Sequence, residues 1–122
     1  MTTPPREAVR YLEARFACAQ ACGECARACA LRASVAVAQG ARSREALRRT
    51  GVECAEACEA TCGLLSAESE VTEDGLRLQV EWCRERCLES AAILAGPPGG
   101  TDTAAEGCRA CARACADFLK LL

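Results

Sequence analysis

Small apolar residues recur along this chain at steps of three and four, the period of a helix face rather than the alternation of a strand. Four such stretches, at about residues 5–38, 43–67, 72–94 and 103–122, are set apart by turn signals. Pro5 suits a first helical turn, and Gly40 stops the first stretch. Ser43 is placed to cap the second, with Glu45 in its first turn. The polar run 66–71 separates it from a third stretch, which starts near Thr72 with Glu73 and Asp74 at the helix end that favours negative charge. Gly96-Pro97-Pro98-Gly99-Gly100 is the clearest break in the chain. After it, Thr103-Ala104-Ala105-Glu106 matches a capping box for a fourth helix that continues to the C-terminus. Four helices with short connections predict an all-α fold, an antiparallel four-helix bundle in a single domain over residues 1–122.

The residues on the core-facing positions are cysteines. They read Cys18-x3-Cys22-x2-Cys25-x3-Cys29, Cys54-x3-Cys58-x3-Cys62, Cys83-x3-Cys87 and Cys108-x2-Cys111-x3-Cys115. At about 100° per residue, Cys18, Cys22, Cys25 and Cys29 fall at roughly 0°, 40°, −20° and 20°, one narrow stripe along about 16 Å of helix. The other three clusters are expected to do the same, so that four thiol stripes line one core. The first and last helices share an internal repeat, Cys-x2-Cys-Ala-Arg-Ala-Cys-Ala, at Cys22–Ala30 and Cys108–Ala116. Alanine fills the neighbouring positions; it favours helix and lets helices approach closely enough for thiols on different helices to share an ion.

Composition narrows the chemistry. The 122 residues are 51% hydrophobic but only 3% aromatic, and the net charge is −2. Few large side chains are on hand for a conventional core, and nothing points to nucleic acid or an anionic membrane surface. No segment is apolar enough to span a membrane or to serve as a secretory signal, so a cytoplasmic protein is expected, where the cysteines stay reduced. There is no histidine. That removes the commonest general base and the mixed Cys/His zinc sites. No nucleophile–base pair or phosphate-cradling loop can be assembled, which argues against an enzyme. Glu53, Glu56 and Glu59 read as a solvated face, and Arg42, Arg44, Arg48 and Arg49 as a surface basic patch. Trp82 lies off the thiol stripe and is expected to pack between helices or subunits.

Single free cysteines are often plain buried residues, but twelve in helical register call for more. Cysteines four apart on a helix stand about 5–6 Å apart at Cβ, whereas a disulfide wants about 3.5–4.5 Å. Bridges within a helix are therefore disfavoured, and bridges between helices stay open. Thiolates select Cu(I), Zn(II) and iron–sulfur clusters. Zinc prefers closed sets of four, and a continuous stripe is not divided into fours. Iron–sulfur motifs are typically loop-borne. A ladder of paired thiols suits Cu(I) best, which accepts two or three thiolates and shares bridging sulfurs. A zinc or iron–sulfur protein with a regulatory or electron-transfer role, and a thiol redox buffer, are the alternatives.

The Cys-x3-Cys and Cys-x2-Cys-x3-Cys stripes on four alanine-rich helices resemble the bacterial copper storage proteins, over about residues 11–122. The resemblance implies storage or sequestration of multiple Cu(I) ions inside the bundle, a homotetramer, and a place in the family's cytosolic branch. Carried over position by position, it implies metal ligation by Cys18, Cys22, Cys25, Cys29, Cys54, Cys58, Cys62, Cys83, Cys87, Cys108, Cys111 and Cys115. Copper ions are the expected partner, delivered by a copper chaperone or a low-molecular-weight thiol. The chain departs from that pattern in having no histidine, no methionine beyond Met1, and Ser90 and Phe118 where further thiols would stand. Extending the stripes predicts one bundle end plugged by Tyr11, Leu65, Leu76, Val80, Phe118 and Leu119. The other end collects Ala33, Ala36, Leu47, Gly51, Ser90, Ala91 and Ala104, among which smaller groups dominate. Copper is expected to enter there, with Cys29, Cys54, Cys87 and Cys108 as its outermost ligands.

Overall fold

The computed structural model of the chain describes residues 5–34, 41–66, 71–95 and 102–122, with backbone alone for 41–44. Four helices follow one another: α1 (Arg6–Ser34), α2 (Ala41–Ser66), α3 (Glu73–Leu94) and α4 (Thr103–Leu119). No strand occurs among the described residues. Each helix packs against its two neighbours, α1 on α2 and α4, α3 on α2 and α4, so α1 and α3 stand on one diagonal of a four-helix bundle.

Local chemistry explains most of the helix ends. The Pro5 carbonyl accepts the amides of Ala8 and Val9 at 3.0 and 3.2 Å, which opens α1 at Arg6. Thr72 caps α3, its hydroxyl accepting from the Gly75 amide at 3.0 Å. Two expectations are corrected. α2 begins at Ala41, so Ser43 lies inside its first turn rather than capping it. α4 is capped by Asp102, not Thr103: the Asp102 carboxylate accepts from the Ala105 amide at 3.0 Å. A carboxylate answers the amide dipoles of a helix start with full charge, and the cap one residue earlier leaves Glu106 to pair with Arg109 instead of closing a capping box. Asp102 also accepts Arg32 Nε at 2.9 Å, a half-buried ion pair that ties the end of α1 to the start of α4. The expected stop at Gly40, the end of the first stretch beyond residue 34, and the break at 96–100 lie outside the described residues.

Antiparallel register appears in every pairing. Arg15 Nε donates to the Leu65 carbonyl at 2.9 Å near the start of α1, while Gly51 meets α1 near its end. A Cβ added at Gly51 would stand 2.7 Å from the Cys29 carbonyl oxygen and 3.0 Å from Ala33 Cβ. Only a glycine lets the two backbones come that close. Between α2 and α3, the buried Thr61 hydroxyl donates to the Ala57 carbonyl at 2.8 Å and accepts from Gln79 Nε2 at 2.9 Å.

The bundle interior has two chemistries. At the start of α1 and α3, Leu65, Leu76, Val80 and Phe118 are buried, and the rings of Tyr11 and Phe118 lie 5.4 Å apart, tilted by 51°. This is the apolar plug expected from the sequence. Beyond it the core is sulfur. At the far end Ala33 and Ala104 are buried as expected, but so is Leu94, only 1% exposed. That end is therefore less open than its alanines suggest. Trp82 lies exposed on the outer face of α3, with Leu78 and Ile93, rather than between helices.

Candidate metal centre

Eleven of the twelve cysteines are at 0% exposure: four from α1, two from α2, two from α3 and three from α4. All twelve are free thiols. Their burial follows from the i, i+4, i+7 spacing, which keeps a cysteine on the inner face at each turn. Sulfurs from different helices then meet. Cys18 and Cys115 are 3.7 Å apart, Cys22 and Cys111 3.5 Å, Cys22 and Cys83 3.9 Å. Cys58 and Cys87 are 3.6 Å apart. Cys108 stands 3.7 Å from Cys25, 3.5 Å from Cys29 and 3.6 Å from Cys54.

Among the described residues these thiols form three quartets, each with all four sulfurs within 4.8 Å of one another. The first is Cys22, Cys83, Cys111 and Cys115. The second is Cys25, Cys58, Cys87 and Cys111. The third is Cys25, Cys29, Cys54 and Cys108. Cys111 belongs to the first two and Cys25 to the last two, so the quartets are fused through shared sulfurs. Cys18 extends the array at the plugged end through Cys115. The arrangement is one continuous sulfur column.

Two positions differ from the sequence expectation. Cys87 sits in the middle quartet, beside Cys58, not in the outermost one. Ser90, buried at the next turn of α3, comes between it and the bundle end. Cys62 packs against the core from its edge and joins no quartet. It is half-buried and has Ser66 Oγ 3.9 Å away. Two consecutive four-residue steps from Cys54 carry it about 80° around the helix. Thr61, three residues after Cys58, takes the inner place instead.

Electrostatics divide each quartet evenly. Hydrogen bonds among the thiols pull some of them down from the usual cysteine range. Cys18 falls to about 5 chiefly through Cys115, and Cys25 to about 6 chiefly through Cys108. Cys54, Cys83 and Cys111 are also lowered, chiefly by Cys108, Cys111 and Cys115 respectively. The others are pushed up: Cys22 and Cys58 chiefly by Cys111, Cys29 and Cys87 chiefly by Cys108, Cys115 by Cys111 and Cys108 by Cys25. Every quartet thus holds two lowered and two raised thiols. A buried thiolate is tolerable here because a neighbouring S–H can turn to donate to it. Among the described residues no carboxylate or cation takes part. Glu53 binds Arg86 at the surface, at 3.4 Å, and Arg48 and Arg49 lie against Glu45. Arg42 and Arg44 fall where only the backbone is described.

A closed, all-sulfur, histidine-free donor set fits soft cations and not hard ones. No described helix is long and apolar enough to cross a membrane. No curated protein and no solved structure matches the chain significantly. The family model for the copper storage proteins matches residues 5–120, and with a cysteine-lined four-helix bundle behind that match the chain belongs to the copper storage protein family.

Proposed function

We propose that this protein stores or sequesters Cu(I), holding many ions along the sulfur column. The observation that carries the reading is the sharing of Cys25 and Cys111 between quartets. Zinc in closed tetrahedral sites wants four thiolates of its own at each ion. Three such sites would need twelve separate ligands, and the three quartets contain only ten cysteines. Cu(I), soft and content with low coordination numbers, gains from sulfurs that bridge. Cys18 lies outside every quartet and touches Cys115 of the first, a contact that suits a two-sulfur ion and not a four-sulfur one.

Loading exchanges protons for metal. One monovalent ion for one proton leaves the column near neutral, which keeps the interior dry without a large charging penalty. We assign ligation to the eleven buried cysteines and place Cys62 at the margin of the set. Entry is assigned to the end beyond Cys29, Cys54 and Cys108, past Ala33, Ala104 and Leu94, since the opposite end carries the aromatic plug. Free thiols in this number favour a reducing, cytoplasmic setting, with a copper chaperone or a low-molecular-weight thiol as donor. The exposed apolar residues of α3, and Leu12 and Phe16 on α1, are where a homotetramer would bury surface. The test is direct competition under anaerobic conditions. Protein preloaded with Zn(II) is titrated with Cu(I) buffered by a chelator of known strength. Complete displacement of zinc supports the proposal; retention of zinc against excess Cu(I) refutes it.

A further inference from the structure

The sulfur contacts between α1 and α4 support a second chemistry that needs no metal. Reading up α1, the thiols are spaced Cys18-x3-Cys22-x2-Cys25; reading down α4 they are spaced Cys115-x3-Cys111-x2-Cys108. Antiparallel packing therefore sets them opposite one another in order. The result is three rungs: Cys18 with Cys115 at 3.7 Å, Cys22 with Cys111 at 3.5 Å, and Cys108 with Cys25 at 3.7 Å and Cys29 at 3.5 Å. The helices are close at the last rung, where a Cβ on Gly107 would stand 3.6 Å from Cys25 Cα. Sulfurs already in contact need to approach by roughly 1.5 Å to reach disulfide length. Neighbours four apart on one helix are held too far apart at Cβ for that, so oxidation is steered between helices, onto the three rungs of α1 and α4 and onto Cys58 and Cys87 of α2 and α3, 3.6 Å apart.

We propose that in the metal-free protein this ladder is oxidised by hydrogen peroxide to disulfides between α1 and α4, making the core a thiol reductant whose metal capacity is lost as it is spent. At each rung one thiolate sulfur attacks a peroxide oxygen. The O–O bond breaks, a sulfenic acid forms, and the released hydroxide takes up that thiol's proton and leaves as water. The partner sulfur then attacks the sulfenic sulfur, and the S–O bond breaks; the leaving hydroxide takes the partner's proton as a second water. Two thiols and one peroxide give one disulfide and two waters, with two electrons passing from sulfur to oxygen. Oxidation acts on the store as a whole. Bridging Cys111 removes a ligand from two quartets at once, and bridging Cys108 removes one from the third. Closing those two rungs leaves no quartet intact. Metal and peroxide therefore compete for the same sulfurs, and an oxidised chain must be reduced before it can load. The capacity clause rests on the metal-storage reading; the ladder itself does not.

The experiment uses the full chain carrying Cys62→Ser, so that the half-exposed thiol cannot bridge two chains. Metal-free and Cu(I)-loaded samples are exposed to a small excess of hydrogen peroxide. Free thiols are counted in denaturant, and disulfides are mapped by mass spectrometry of a non-reduced digest. The expected result is loss of about six to eight thiols in the metal-free sample, with bridges Cys18–Cys115, Cys22–Cys111 and Cys108 to Cys25 or Cys29, and Cys58–Cys87 as the one further bridge. Copper-loaded protein should be protected, and dithiothreitol should restore both thiols and metal capacity. Scrambled or within-helix bridges, sulfinic acids without disulfides, or thiol loss no faster in metal-free than in loaded protein would each overturn the proposal. If the rungs form but the reduced protein takes up no Cu(I), the storage reading fails and the ladder stands. If copper binds but no rungs form, the reverse holds.

Discussion

Replacing Gly51 by alanine tests the packing that brings α1 and α2 together over the outermost quartet. The new Cβ would sit 2.7 Å from the Cys29 carbonyl oxygen and 3.0 Å from Ala33 Cβ. The first of these is backbone, and no side-chain rotation relieves it, so the helices must part. Overpacking of this kind costs about 1–3 kcal/mol. Against that, alanine in a helix interior is favoured over glycine by about 1 kcal/mol. Gly63→Ala provides the reference on the same helix, because nothing lies within 4 Å of its added Cβ. It should therefore show the propensity gain alone, about 1 kcal/mol of stabilisation. The difference between the two variants is the cost of the close approach, about 1–3 kcal/mol, or roughly 3–10 °C in midpoint at this chain length. Thermal and urea unfolding of metal-free protein, followed by helix circular dichroism, measure it. Gly51→Ala should fall below Gly63→Ala in both. Equal stabilisation by the two would show that α1 and α2 do not meet at Cys29, and the geometry of the Cys25, Cys29, Cys54, Cys108 quartet would have to be redrawn.

Asp102→Ala removes a helix cap and the partner of half-buried Arg32. It should cost about 1–3 kcal/mol in urea unfolding, with Asp102→Asn, which keeps the cap and loses the ion pair, losing less; equal losses would mean the cap contributes nothing. Cys111→Ser should weaken metal binding at two quartets and lower saturation by more than one ion, whereas Cys62→Ser should change it by one at most; equal effects, read by titration, would contradict the fused-quartet geometry. Metal affinity should fall with acidity throughout, because the raised thiols release protons on loading. The fall should steepen below about pH 6, where Cys25 and then Cys18, lowered to about 6 and about 5, regain the protons they lack at pH 7. Chelator competition at pH 8, 7, 6 and 5 checks this, and an affinity flat across that range would contradict it.

The bundle and its lining were legible because the thiol stripes are strongly periodic, and period is what survives from sequence into packing. The Cys18–Cys29 stripe alternates steps of four and three and stays on the inner face, and all four of its sulfurs are buried. The same arithmetic, carried one step further, would have set Cys62 apart: two steps of four do not return to the starting face. Each Cys-x3-Cys step looks alike in sequence, but the helix adds the angles. The apolar plug was readable from large side chains at one end of each stripe. Leu94 at the other end is hard to foresee because it lies two turns beyond Cys87, the last thiol of its stripe. Asp102 and Thr103 are both good caps, and the choice between them depends on Arg32, seventy residues away. The fusion of quartets through Cys25 and Cys111 depends on the relative heights of four helices, which no single helix encodes. Gly51 carried no sign of how closely α1 passes, since a glycine in a helix looks alike whether its face is open, as at Gly63, or pressed on a backbone.

The central claim is that the buried thiols act as one shared column for Cu(I). Its most direct test is the number of Cu(I) ions bound per chain at saturation, measured anaerobically on fully reduced protein against a chromophoric chelator. A continuous column predicts uptake close to one Cu(I) per buried thiol, with the bundle folded before and after loading. Saturation at three ions or fewer, one for each quartet, would mean the sulfurs act as separate closed sites and would contradict the account.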